Sequence, residues 1–315
     1  MKGGIVMSHH HSDYVRHNEN VHVFHIKFDL LDDGLNQVKG KFNDELFDDI
    51  PAFAFGPENM QTKINEKGII PTVREAMKKM YAIPEIQDAQ MEYLNSSNTE
   101  DKYLRRGEFG ELLLYHLLHE YFNADALISK IYFKDSAGLP AHGFDAVHVD
   151  IESKTLWLGE SKLYKKSTSA IDELVKDVIG FTDSKGKKHM GHFSTDFFNS
   201  EFQIITNRVH DANVEYPEFI KNLIDPNTRT LDKLANINIA LFAGFDSDAI
   251  KTYDEDFFQA KLHDEVEILR LRANKGLKDH PWNKHLNVFL FLFPLDDKRA
   301  FVSSLHQKLK GAQQI

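Results

Sequence analysis

Asp145, Glu160 and Lys162 are the residues of this chain whose types and spacing could do chemistry. They lie in the stretch Gly143-Phe144-Asp145-Ala146-Val147-His148-Val149-Asp150 and in Leu156-Trp157-Leu158-Gly159-Glu160-Ser161-Lys162, separated by residues 151–155. β-Branched and aromatic flanks around polar turn residues predict a β-hairpin. With Glu152-Ser153 as its turn, Val149 faces Leu156, Val147 faces Leu158 and Asp145 faces Glu160, because strand side chains alternate between faces. Like charges set opposite one another, with β-carbons about 4.5–5.5 Å apart, destabilise a sheet. A divalent cation such as magnesium resolves the conflict, since it takes carboxylate oxygens at about 2.0–2.1 Å. Lys162 shares the face of Glu160 and can reach a metal-bound water or a phosphate oxygen. This is the equipment of a metal-dependent phosphodiester hydrolase. The competing reading is a surface hairpin in which Glu160 and Lys162 neutralise each other. Their place at the end of a strand that is apolar on both faces favours burial, and buried charges are paired or metal-bound.

The elements around the hairpin must position these groups. Residues 103–122 form a strong helical pattern headed by Arg105-Arg106-Gly107-Glu108-Phe109-Gly110-Glu111. Helical spacing puts Glu111 on the stripe of Leu114, Tyr115, Leu118 and Phe122, and Glu108 on a more polar one with Leu112, Tyr115 and His119. Glu111 is therefore a candidate third acid, weighed against a carboxylate favoured only by the helix dipole. Strands are expected at 21–31, 127–133, 202–206, 237–245 and 287–293, the last ended by Pro294. Helices are expected at 35–50, closed by Pro51, and at 72–81, 170–181, 253–274 and 303–310, with 52–57 irregular. The linker signal is Asn95-Ser96-Ser97-Asn98-Thr99, which divides an N-terminal α+β region, 1–98, from a domain at 99–315. Lys185-Gly186-Lys187-Lys188 is a basic loop without Walker spacing. His189 and His192 are expected to be surface histidines.

Composition narrows the class. The chain has 315 residues, 42% hydrophobic and 27% charged, which describes a globular protein with a sizeable core. It has no cysteine, which excludes disulfides, zinc–thiolate sites and thiol catalysis and makes the cytoplasm the expected compartment. The apolar run at residues 288–293 is too short to span a bilayer, so no membrane partner is expected. A net charge of −10 argues against a surface that binds nucleic acid all over. Lys162, Lys165 and Lys166, then Lys185, Lys187, Lys188 and His189, are the candidate local patches of positive charge. Lys165, Lys166, Lys187 and Lys188 are candidates for phosphate contact, with ordinary solvated surface as the alternative.

The order helix, three strands, helix, with glutamate on the first helix and Asp…Glu-x-Lys on the later strands, resembles the PD-(D/E)XK nuclease superfamily. The resemblance implies a restriction-endonuclease-like α/β (α+β) core, a mixed sheet flanked by helices, here with an N-terminal α+β extension. It implies magnesium, with manganese as a substitute, held by Asp145, Glu160 and the backbone carbonyl of Ser161. Glu111 completes the shell and Lys162 orients the attacking water. Phe144 stands where the superfamily's usual proline would precede the aspartate. More narrowly, Arg106-Gly-Glu-Phe-Gly-Glu-Leu-Leu-Leu, His142-Gly-Phe-Asp-Ala and Trp157-Leu-Gly-Glu-Ser-Lys-Leu-Tyr resemble the HamA family, nuclease subunits of the Hachiman anti-phage system. That likeness implies a DNA endonuclease restrained by a helicase partner, HamB. The alternatives are a catalytically inactive nuclease-fold adaptor or nucleic-acid-binding subunit, and a sequence-specific restriction-type enzyme.

Overall fold

The site-bearing hairpin lies inside a sheet that draws on both halves of the chain. The structure is a computed structural model, and it describes residues 6–9, 11–28, 37–87, 99–104, 107–129, 144–194, 198–211 and 217–314. The linker signal at 95–98, Arg105-Arg106 and residues 130–143 lie outside the described residues. The strands are β1 (Val6–His9), β2 (Ser12–Arg16), β3 (Val21–Ile26), β4 (Asp125–Ser129), β5 (Ala146–Asp150), β6 (Thr155–Leu163), β7 (Gly180–Thr182), β8 (Lys188–Met190), β9 (Ile237–Asp246) and β10 (Asn287–Leu295). Eight of them form one mixed sheet in the order β1-β2-β3-β10-β9-β6-β5-β4, and β7 and β8 form a separate hairpin. β3, β10, β9 and β6 run parallel, and the outer pairings are antiparallel. This is the mixed sheet flanked by helices that the sequence implied.

The longer helices are α1 (Lys39–Phe55), α2 (Pro57–Lys67), α3 (Ile69–Met80), α4 (Glu108–Phe122), α5 (Ser167–Ile179), α6 (Phe198–Asp211), α7 (Phe258–Leu277) and α8 (Lys298–Ala312). α1, α3, α4 and α8 contribute to a core on one face of the sheet, with Trp157, Phe242, Phe291 and Phe293. α5, α6 and α7 contribute to a core on the other face, with Leu156, Leu158, Leu241 and Leu292. Gln313 ties the two ends of the first layer together. Its side-chain amide donates to the carbonyls of Met77 and Tyr81 at 2.9 and 2.7 Å.

Three expectations are corrected here. α1 runs through Pro51 to Phe55 and ends at Gly56, whose φ of 75° only glycine adopts freely. An interior proline removes a helix bond, but burial of Phe42, Leu46, Phe47, Ile50, Phe53 and Phe55 holds the helix across it. Residues 202–206 are helical, because Phe198, Phe202 and Ile205 bury at helical spacing that a five-residue window hides. Pro294 sits within β10 instead of ending it. The N–H of Leu290 points towards β3, bonding to Asn20, so position 294 points the same way. The β3 ladder has already stopped at Leu292 and Val23, and no ladder donor is missed.

Candidate functional site

β5 and β6 form the register expected, Val149 against Leu156 and Val147 against Leu158, with Asp150 against Thr155 at the turn end. The Asp150 carboxylate accepts from the amides of Glu152 and Ser153 and so stabilises the turn. Lys154, at φ 56°, closes it. At its other end the ladder stops at Ala146 and Gly159. Asp145 lies just beyond, where β5 leaves β6, and its carboxylate fills the opening. Asp145 Oδ2 accepts from both the amide and the hydroxyl of Ser161, at 3.0 and 2.9 Å. On β6 the amides of Leu156 and Tyr164 bond towards the β9 side, to Asn236 and Gly244. The odd-numbered residues therefore turn their N–H and C=O towards β5, and the carbonyl of Ser161 faces the gap that Asp145 occupies.

Glu160 and Lys162 project from the opposite face of β6 to Gly159 and Ser161. Glu160 is 3% exposed and Asp145 7%, deep enough that each charge needs a partner. Two charged or polar neighbours of the site carry no signal in the sequence. Asp177, from the last turn of α5, pairs with Lys162, Oδ2 to Nζ at 2.6 Å. His192 Nε2 lies 3.3 Å from Glu160 Oε1. Burial disfavours the Lys162 ammonium, but the carboxylates of Asp177, Glu160 and Asp145 outweigh it and hold its pKa above the ordinary lysine value. His192 is thus not the surface histidine expected, whereas His189 is half-exposed, stacked on Phe181 and paired with Asp183.

Why His192 reaches the site is a matter of backbone contact. The β7–β8 hairpin leaves α5 at Gly180 and returns at Gly191, and the two glycines touch back to back. A β-carbon on Gly191 would lie 2.3 Å from the amide nitrogen of Gly180 and 2.4 Å from the carbonyl oxygen of Val178. That closeness lets the His192 and Phe193 amides donate to Asp177 and Val178, at 2.8 and 3.2 Å, ending the helix. The sequence signal was the pair of glycines bracketing a short polar hairpin.

α4 packs on the other face of β6. A β-carbon on Gly159 would lie 2.6 Å from Leu114 Cδ2, and one on Gly110 would lie 3.4 Å from Ser161 Oγ. Every residue of α4 from Glu108 to Leu118 is buried, so the polar stripe assigned to Glu108 does not exist. Glu111 Oε1 sits over the first turn of α4, 3.8 Å from where a Gly107 β-carbon would be. The structure brings Asp145, Glu160, Ser161, Lys162, Asp177 and His192 together, and Glu111 is buried in the first turn of α4, the helix whose Gly110 packs beside Ser161. Among the described residues, no three His, Asp or Glu side chains gather as a group that could hold a metal ion. Lys165 and Lys166 are exposed just before α5, and Lys187 and Lys188 are exposed on the β7–β8 hairpin. No helix among the described residues is long and apolar enough to cross a membrane.

No curated protein and no solved structure is significantly similar to this chain. A family model, HamA, matches residues 5–309, a span that includes every strand of the large sheet and all of the site residues above. The chain belongs to the HamA family.

Proposed function

We propose that the protein is a metal-dependent DNA endonuclease, the effector of a Hachiman-type anti-phage system, restrained by a helicase partner. The observation that carries the reading is the end of the β5–β6 ladder, where buried Asp145 bonds Ser161 and buried Glu160 shares a face of β6 with an ammonium, Lys162, whose charge both carboxylates favour. The donors fit a hard divalent cation: they are all oxygens, two are carboxylates, and the chain has no thiolate to compete. Asp145, Glu160 and the Ser161 carbonyl would hold magnesium or manganese, with Glu111 the further acid from α4. When bound, such an ion polarises a phosphate and lowers the pKa of its water.

The chain's own groups do the remainder. Ser161 fixes the rotation of the Asp145 carboxylate through two hydrogen bonds. Lys162 supplies a positive charge that offsets negative charge developing on a phosphate. The exposed lysines 165, 166, 187 and 188 would contact the DNA backbone at the rim. Family membership supports the defence role. These 315 residues carry no Walker motif, and the helicase proposed as partner would supply the ATP-driven motor.

The absence of a metal-sized cluster among the described residues favours a second reading, a nuclease-fold adaptor that does not cut. Incubating the purified protein with plasmid, with and without magnesium, separates the two. The expected result is magnesium-dependent cutting, lost in Asp145→Ala and Glu160→Ala, with a smear in place of discrete fragments. In Lys162→Ala cutting should be lost while calorimetry still shows metal uptake. Full activity in the Asp145→Ala/Glu160→Ala protein would refute the assignment.

A further inference from the structure

Lys162 stands beside two carboxylates that a divalent cation would need, and an ammonium is itself a cation. Glu160 and Lys162 stand two residues apart on one face of β6, and the charges of Glu160 and Asp145 both favour the Lys162 ammonium. A four-carbon side chain with free rotation would settle between them unless something held it elsewhere, since opposite charges in a buried setting attract strongly. Asp177 holds it elsewhere, at 2.6 Å.

The position of Asp177 is otherwise unfavourable. It lies in the last turn of α5, where the helix dipole disfavours an acid. The following hairpin then fixes it further, because the Asp177 carbonyl accepts the His192 amide at 2.8 Å. With the side chain about three-quarters buried and the backbone tied at both ends of the hairpin, Asp177 is a rigid anchor more than a mobile surface acid.

We propose that Asp177 is a positioning residue: it draws the Lys162 ammonium away from the Asp145 and Glu160 carboxylates and keeps that pair open to a divalent cation. The proposal rests on the nuclease reading above for the identity of the pair as a cation seat. Without Asp177, Lys162 falls back onto the carboxylates and competes with the metal as a tethered ion.

The test is a two-by-two set of variants, wild type, Asp177→Asn, Lys162→Met and the double variant, read by calorimetric titration of manganese or magnesium without DNA. Asp177→Asn is expected to weaken metal uptake by about tenfold, the scale on which groups orienting a ligand shell act. Lys162→Met should bind at least as well as wild type, and the double variant should recover that affinity. A carboxylate that merely supported the helix would not be rescued by removing a lysine. Wild-type affinity in Asp177→Asn overturns the proposal, and so does a double variant as weak as Asp177→Asn. Melting of the same four metal-free proteins reads the contact alone: Asp177→Asn should lower Tm when Lys162 is present and not in the Lys162→Met background. Equal losses in both backgrounds would mean that Asp177 does not hold Lys162. A wild-type protein that takes up neither ion would overturn the nuclease reading, and the melting set would still decide the Asp177 contact.

Discussion

Replacing Gly191 by alanine should detach the β7–β8 hairpin from α5 and draw His192 away from Glu160. The new β-carbon would meet three backbone atoms, the Gly180 nitrogen at 2.3 Å, the Val178 oxygen at 2.4 Å and the Ile179 carbonyl carbon at 2.5 Å. None of these can turn aside as a side chain could, so the two strands of chain must separate. Separation breaks the His192 and Phe193 amide bonds to Asp177 and Val178. Each backbone hydrogen bond contributes about 1 kcal/mol net, so the loss is about 2 kcal/mol. With an unfolding entropy of about 2.1 cal/mol/K per residue, a chain of 315 residues turns that loss into a Tm shift of about 3 °C. Gly186, at the tip of the same hairpin, is the control. Its φ is 80°, but nothing lies within 4 Å of a β-carbon there, so Gly186→Ala should cost only about 1 kcal/mol for the left-handed backbone. Hydrogen exchange by NMR is the decisive assay, since the His192 and Phe193 amides should be protected in wild type and Gly186→Ala and exchange freely in Gly191→Ala. Retained protection in Gly191→Ala would refute the back-to-back packing.

Two further outcomes follow from the geometry. Ser161→Ala removes the hydroxyl that donates to Asp145 at 2.9 Å, leaving the amide bond. It should destabilise the fold by about 1.5–3 kcal/mol, the value of a bond to a charged group, and urea unfolding measures it. Stability should also fall between neutral pH and pH 4. Burial, joined at His22 by the charge of Arg16, holds the pKa values of His22 and His148 at about 4, below the 6.5 of a free ring. The unfolded chain therefore takes protons first as pH drops through 6.5, and stability is lost until the folded rings titrate near 4. The interval corresponds to about 3 kcal/mol for each ring. Unfolding midpoints measured from pH 7 to 4.5 should fall less steeply in His22→Phe and in His148→Gln, and parallel curves would refute the account.

Local patterns carried the hairpin and little of what surrounds it. The alternation through residues 145–162 fixed the register of β5 on β6, because a one-residue slip would have turned Leu156 and Leu158 to the wrong face. α4 was legible as a helix but not in its facing: it is buried on every side from Glu108 to Leu118, so a stripe on it distinguishes nothing. Asp177 carries no signal of its own within the helix expected at 170–181, and the sequence places His192 on the surface. Their role is created by two glycines eleven residues apart in the chain that meet in space, and no periodicity registers such a contact. The helix at 198–211 escapes the pattern for a different reason, since aromatic Phe202 and β-branched Ile204 and Ile205 resemble a strand until Phe198 is counted with them.

The ladder between β3 and β10 joins residues 21–23 to residues 290–292. During synthesis at about 5–20 residues per second, β3 must wait on the ribosome for most of a chain's production before its partner emerges. The hairpin of β5 and β6, by contrast, needs only its own short loop to close, and loop closure of that length is fast. Newly made molecules should therefore carry a formed hairpin and an unpaired β3 edge, the kind of edge that invites aggregation or a holding chaperone.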